Sequence, residues 1–278
     1  MPELRCGQYL LPLDRPVVMG IVNLTPDSFS GDGTGRDPAQ AIAHARRQFE
    51  AGADMLDIGA ESSRPGALPT SEEEELRRLL PVLEELCSWG VPVSVDTYKP
   101  AVMRRALAAG ATMINDITGL RRPGALEAVA ASDCAVCLMH MQGEPLTMQE
   151  SPQYDDVVGE VAAFLGERLA ACRAAGIADQ RLVLDPGFGF GKSLEQNLAL
   201  FRGLTALGID ERPVLVGLSR KSMLGAITGR AVGSRVAASV AAALLAVQKG
   251  AKILRVHDVA ETRDALAVLA AINEGKSQ

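Results

Sequence analysis

The sequence predicts an α/β chain folded as a single (β/α)8 barrel across residues 1–278, with a short N-terminal extension or hairpin. Three observations predict it. Eight short apolar runs are spread along the chain, each continuous rather than alternating, as in parallel strands buried on both faces. A helical segment follows each run. Several of those helices end in Ala-Gly-Ala or a relative of it, at Ala51-Gly52-Ala53, Ala109-Gly110-Ala111 and Lys249-Gly250-Ala251. The resulting period is about 35 residues, the size of one βα unit. Eight units use the chain with no linker left over, which favours a closed barrel over an open doubly wound sheet.

Taken in order, the residues before Val17 are too few for a domain and suit a hairpin under the barrel. Strands are expected near Val17–Val22, Met55–Ile58, Val91–Val95, Thr112–Asn115, Cys134–Met139, Leu182–Leu184, Val214–Gly217 and Ile253–Val256. Helix starts are marked by Ser71 and Glu74 at capping-box spacing and by Pro100 and Pro123, which suit a first turn. The acidic run Glu72 to Glu75 reads as a first turn that complements the helix dipole rather than as a binding patch. The glycines of the Ala-Gly-Ala ends suit left-handed C-terminal caps.

Composition narrows the function. The chain is 47% hydrophobic with only 4% aromatics, so its core is built of small aliphatic layers. The net charge of -6 and the absence of a basic run exclude a nucleic-acid binder. An anionic ligand would need its own local cations. The N-terminus lacks an apolar signal region, and the longest apolar stretch, Val236 to Val247, is too short for a bilayer. Five irregularly spaced cysteines suit a reducing compartment, so a cytoplasmic protein without membrane contact is expected. Cys134 and Cys137 lie three apart in an expected strand and point to opposite faces. They read as two buried thiols, not as a redox or zinc pair.

In a barrel of this kind the site lies at the C-terminal ends of the strands. Those ends carry Asn23; Glu61-Ser62-Ser63-Arg64; Asp96-Thr97; Asn115-Asp116; Met139-His140; Asp185-Pro186-Gly187; Gly217-Leu218-Ser219-Arg220-Lys221-Ser222; and Arg255 with His257. Any single Asp there could be a helix cap, but polar or Gly-rich chemistry closes all eight. Asp96, Asn115 and Asp185 offer acceptors and one amide, the set that an amino-pyrimidinone edge requires. Lys221 adds a cation. Arg255 and His257 share one side of the last strand and, with Arg64, form a cationic corner suited to phosphate. His257 could alternatively cap or pack a helix. For His140 two readings stand, a site residue or only a strand end, and His44 is given no role. Pro186 to Ser193 nearly matches a phosphate-binding loop, but Pro186 stands where its first glycine belongs and lacks an N–H.

Several of these runs resemble dihydropteroate synthases, a family of pterin-binding enzymes. They are Gly20 to Ser30, Asp57 to Gly66, Asp96-Thr97, Asn115-Asp116, Met139 to Gly143, Asp185 to Lys192, Ser219 to Ser222 and Arg255 to Val259. Two departures are visible. Ala60 and Ser63 replace a Gly and a Thr of the second signature, and the segment between Arg220 and Val236 is short.

The resemblance implies a pterin ring held by Asp96, Asn115, Asp185 and Lys221, with Met139 and Gly217 near its faces. It implies pyrophosphate bound by Arg64, Arg255 and His257, and by Asn23 through Mg²⁺. p-Aminobenzoate would be held by Ser63, Phe190, Lys221 and Ser222, with Pro26 and Phe29 closing over it. Asp96, Asp185, Lys221 and Arg255 are the expected catalytic set, and the partner a second copy in a homodimer that is a sulfonamide target. The rival readings are the pterin-binding domain of a corrinoid methyltransferase, which needs no arylamine pocket, and a non-catalytic paralogue.

Overall fold

The structure is a computed structural model that describes residues 2–25, 37–62 and 66–274. Strands β1 (Glu3–Cys6) and β2 (Tyr9–Pro12) form an antiparallel hairpin. Eight parallel strands follow: β3 (Val17–Asn23), β4 (Met55–Gly59), β5 (Val93–Asp96), β6 (Met113–Asp116), β7 (Ala135–Met139), β8 (Leu182–Asp185), β9 (Leu215–Val216) and β10 (Ile253–Val256). Their order is β8-β7-β6-β5-β4-β3-β10-β9. The ring closes between β8 and β9, where Leu184 bridges Val214 and its N–H donates to the Pro213 carbonyl at 2.9 Å. Closure excludes the doubly wound alternative.

The helices on the outside are α1 (Pro38–Glu50), α2 (Glu72–Cys87), α3 (Pro100–Ala108), α4 (Ala125–Ala130), α5 (Val157–Ala174), α6 (Leu194–Arg202), α7 (Ser222–Thr228), α8 (Val236–Gln248) and α9 (Val259–Glu274). Local chemistry starts them. Asp37 and Asp156 cap α1 and α5. Ser71 accepts the Glu74 N–H at 3.2 Å, and Ser193 with Gln196 forms a full capping box on α6. One expectation needs correction. Pro123 precedes the cap of α4, because Gly124 takes a left-handed φ of 86° and delays the helix to Ala125. The acidic run Glu72 to Glu75 occupies the first turn of α2 as expected, and Glu75 is its buried member. It is 1% exposed and pairs with Lys99 at 2.6 Å.

Strand alternation divides the core in two. Outward residues such as Leu56, Val95 and Leu138 pack against helix residues such as Leu79 and Leu165. Inward residues Met19, Met55, Met113, Cys137, Val183, Leu215 and Ile253 form an apolar plug, closed from below by Leu4 and Cys6 of the hairpin. Cys134 belongs to the outer cluster and Cys137 to the inner one, as opposite faces require. All five cysteines are free thiols. Among the described residues no helix is long and apolar enough to cross a membrane.

Candidate active site

Two residues above the plug, the inward positions turn polar. On β4 Met55 gives way to Asp57, on β6 Met113 to Asn115, on β8 Val183 to Asp185, and on β10 Ile253 to Arg255. The period of two thus builds a charged layer directly on an apolar one. Arg255 joins it together: its Nε donates to Asp57 Oδ2 at 2.6 Å and its Nη2 to Asp96 Oδ2 at 3.0 Å. Asn115 Nδ2 donates to the same Asp57 oxygen at 3.4 Å. Asp57 Oδ1, Asn115 Oδ1 and Ser94 Oγ are buried without a protein partner. Orphans of this kind are rare in folded chains, so the layer has bonding capacity that the protein alone does not fill.

Burial pushes the Asp96 carboxyl up to about 7, against the opposing pull of Arg255. Burial also raises Asp185, and there Lys221 is the main opponent. Burial alone would lower the Arg255 guanidinium, but Asp57 and Asp96 outweigh it and keep the group charged. Lys221 is drawn down to about 8 by burial. An acid near neutrality and an amine near neutrality therefore line one cavity, a pattern frequent at functional sites.

Above the layer, at the C-terminal ends of the strands, lies a cavity of about 710 Å³. Of the residues expected from the sequence, Asn23, Asp96, Phe190, Gly217, Lys221, Ser222, Arg255 and His257 line it. Asn115, Met139 and Asp185 are buried behind its wall, at 4%, 3% and 7% exposure. Ser63 and Arg64, with Pro26 and Phe29, lie outside the described residues. Lys221 Nζ sits 4.5 Å from the centre of the Phe190 ring. His257 Nδ1 meets Ser219 Oγ at 2.9 Å, so the ring is oriented by a hydroxyl rather than by a helix end. Asp116 turns away from the cavity and holds the β6 turn through Thr118 and Leu120.

Sequence reasoning gave no role to Asp57, Lys192 or the group Glu61, Tyr98 and Lys99. Lys99 donates to Glu61, to Glu75 and to the Thr70 carbonyl, and Tyr98 donates to Glu61 at 2.5 Å. A charge in mid-strand was the available signal for Asp57. His140, left open above, is buried edge-on against Phe164 and meets Lys192. His44 lies on α1 with Nε2 at 3.2 Å from the Ile21 carbonyl. Among the described residues no three His, Cys, Asp or Glu side chains form a metal cage.

Fold and layer together define a barrel enzyme whose site takes a flat ring with N–H donors on one edge and an anionic group beside it. The sequence model of the family described as pterin binding enzyme matches residues 19–257. Dihydropteroate synthase of Neisseria meningitidis serogroup B is 53% identical over 275 residues, covering 96% of each chain. The Yersinia pestis dihydropteroate synthase structure with a sulfonamide drug superposes with a TM-score of 0.95 at 49% identity, covering 98% of this chain and 99% of that one. The Burkholderia cenocepacia dihydropteroate synthase structure with 7,8-dihydropteroate gives 0.91 at 50% identity, covering 99% and 97%. This chain belongs to the dihydropteroate synthases of the pterin-binding enzyme family.

Proposed function

We propose that this chain, as one pterin-binding domain over residues 1–278, condenses 6-hydroxymethyl-7,8-dihydropterin pyrophosphate with p-aminobenzoate. The products are 7,8-dihydropteroate and pyrophosphate. The observation that carries the reading is the joining of two unlike walls in one cavity. Asp96 lines the cavity with Asn115 and Asp185 buried in the layer beneath it as a carboxylate-and-amide floor, while Phe190, Lys221 and Ser222 line its rim. A methyltransferase pterin domain would use the floor and has no need of the rim. The relative from B. cenocepacia is complexed with 7,8-dihydropteroate, a molecule that contains both a pterin and a p-aminobenzoyl part.

In the proposed reaction Asp185 accepts N–H bonds from the pterin edge, and Asp96 and Asn115 meet its remaining nitrogens. Lys221 faces the ring from the rim. The C–O bond to pyrophosphate breaks first, and the electron-rich pterin stabilises the methylene cation. Arg255, Arg64 and His257 hold the departing anion. Preorganised charge of this kind lowers the barrier where new charge develops. The arylamine nitrogen, guided by Ser63, Phe190 and Ser222, then forms the new C–N bond and gives up its proton to the departing anion or to water. No residue has to act as a strong base.

Asn23 fits a Mg²⁺ that arrives with the pyrophosphate. Asn23 offers an amide oxygen, no carboxylate cage is found among the described residues, and Mg²⁺ commonly takes few protein ligands beside substrate phosphates and water. When bound, the ion would neutralise the leaving group. A cytoplasmic homodimer completes the reading. The five free thiols suit the first, and an exposed apolar face on α8 and α9 suits the second.

The test is pyrophosphate release from the pterin pyrophosphate with and without p-aminobenzoate. Release that requires the arylamine supports the synthase. Pterin binding with no arylamine-dependent release would sink it.

A further inference from the structure

Gly187 to Lys192 connect β8 to α6, and every one of their six carbonyls accepts a hydrogen bond from a side chain. Lys192 Nζ serves Gly187 at 2.9 Å and Phe190 at 3.0 Å. Lys221 serves Phe188, and Gln149 serves Gly189 at 2.7 Å. Tyr154 serves Gly191 at 2.9 Å, and Asn197 serves Lys192 at 3.1 Å. The loop also lies hard against the end of β7. A Cβ on Gly187 would meet the His140 carbonyl at 1.9 Å, and one on Gly191 would meet the Gln142 carbonyl at 2.5 Å.

Lys192 is central to this arrangement. It is 3% exposed, and a buried ammonium needs an acceptor for each of its three hydrogens. Two are the loop carbonyls; the third is His140 Nδ1 at 3.0 Å. Burial holds the His140 imidazole neutral, down to about 3, so the ring can accept. His140 is wedged in turn by Phe164, with ring centres 5.0 Å apart. The end of β7 thereby fixes Lys192, and Lys192 fixes the backbone on which Phe190 stands in the cavity wall.

We propose that Lys192, braced by His140, is a positioning residue for Phe190 and so sets how tightly the arylamine substrate is held. This rests on the reading that the rim at Phe190 receives p-aminobenzoate. Lys192 performs no chemistry; the route proposed for its effect on the arylamine is the Phe190 ring, and its bond to Gly187, which orients Asp185, is the route that the pterin-affinity readout watches.

The experiment is a double-mutant cycle on the full chain: Lys192→Met and His140→Leu, each alone and each combined with Phe190→Leu. The readouts are KM for p-aminobenzoate and kcat in the pyrophosphate assay, with pterin affinity from calorimetry. Lys192→Met is expected to raise KM about tenfold while pterin affinity stays within about twofold. In the Phe190→Leu background the same substitution is expected to add less than about twofold, because its route of action is already gone. His140→Leu keeps Lys192 and should act in the same direction, about threefold; it carries the test if Lys192→Met fails to fold. An unchanged KM, an equal loss of pterin affinity, or full multiplication with Phe190→Leu would overturn the proposal. A wild-type chain without arylamine-dependent release would instead overturn the reading beneath it.

Discussion

One oxygen of Asp185 accepts the Gly187 N–H at 2.7 Å, which fixes the way its carboxylate faces. In Asp185→Asn the amide oxygen would take over that bond, and the NH2 would turn toward the N–H donors of the pterin edge. A hydrogen bond to a charged group is worth roughly 1.5–3 kcal/mol, so pterin affinity should fall at least about tenfold. Calorimetry with a pterin lacking phosphate checks it, and an unchanged affinity would remove Asp185 from the site. Arg255 is expected to carry a broader role than its sequence position implied. The expectation kept it for the leaving group, but its pairs with Asp57 and Asp96 tie it to the ring side as well. Arg255→Ala leaves Asp57, with no side-chain exposure, as a buried charge without its cation. Stability should drop by about 3 kcal/mol or more in denaturant titration. Affinity for the phosphate-free pterin should fall together with that for pyrophosphate. Retained pterin affinity would restore the narrower role. The strand-end residues were legible because the barrel period assigns them to one mouth. Asp57 was not, since a charge inside a strand faces inward or outward according to a register that only pairing fixes. Lys192 was hidden by its near-match to a phosphate loop, and its true partners come from elsewhere in the chain.

Elements were legible from continuous apolar runs, and their ends were less so. β5 begins at Val93 rather than Val91, and β9 holds only Leu215 and Val216. The length of a strand depends on what its neighbours pair with, which an apolar run does not record. β8 meets the start of β9 through a single bridge at Val214. The connection from Gly187 to Lys192 could not be foreseen as rigid, because its donors lie on Gln149, Tyr154, Asn197 and Lys221. That rigidity bears on substrate order. The bonds that hold the Phe190 side of the proposed arylamine pocket all come from the protein, so dependence on a first substrate is expected to come from elsewhere in the site. The Gly-rich sequence Thr25–Pro38 and the run Ala60–Ser71 are expected from the sequence to close over the ligand; residues 26–36 and 63–65 lie outside the described residues. Pyrophosphate with Mg²⁺ would supply charge for Asn23 and Arg64 to hold. Binding is expected to be ordered, p-aminobenzoate following the pterin pyrophosphate. Its affinity should rise about tenfold when enzyme is first loaded with pyrophosphate and Mg²⁺, by the fraction of competent protein gained. Chelating the metal should return it to the starting value. Equal affinity in the loaded and free titrations would mean a fully preformed pocket.

At the scale of the whole molecule, the outer surface is not uniformly polar. On α8 the exposed residues Ala237, Ala241 and Leu245 recur four apart, which places them on one stripe. On α9, which packs beside α8, Val268 and Ile272 are also four apart and are 61% and 65% exposed. Leu245 itself is 51% exposed. An apolar run in the sequence could not separate this outward stripe from the inward one of Ser239, Ala242, Ala243 and Ala246, because α8 is apolar nearly all round. Grouped apolar exposure on a soluble chain marks an association surface. A second copy is the simplest occupant, since a two-fold axis lets the same stripe serve both chains and then closes the assembly. Leu245→Asp would bring two carboxylates toward that axis, and like charges there cost association without touching the barrel interior. Wild-type protein should sediment as a dimer at micromolar concentration, and Leu245→Asp as a monomer with pterin affinity within about twofold of wild type, because the floor is built within one chain. A wild-type chain that sediments as a monomer at that concentration would rule the face out as a dimer contact, and a monomeric variant that no longer binds pterin would mean the second copy helps to form the site.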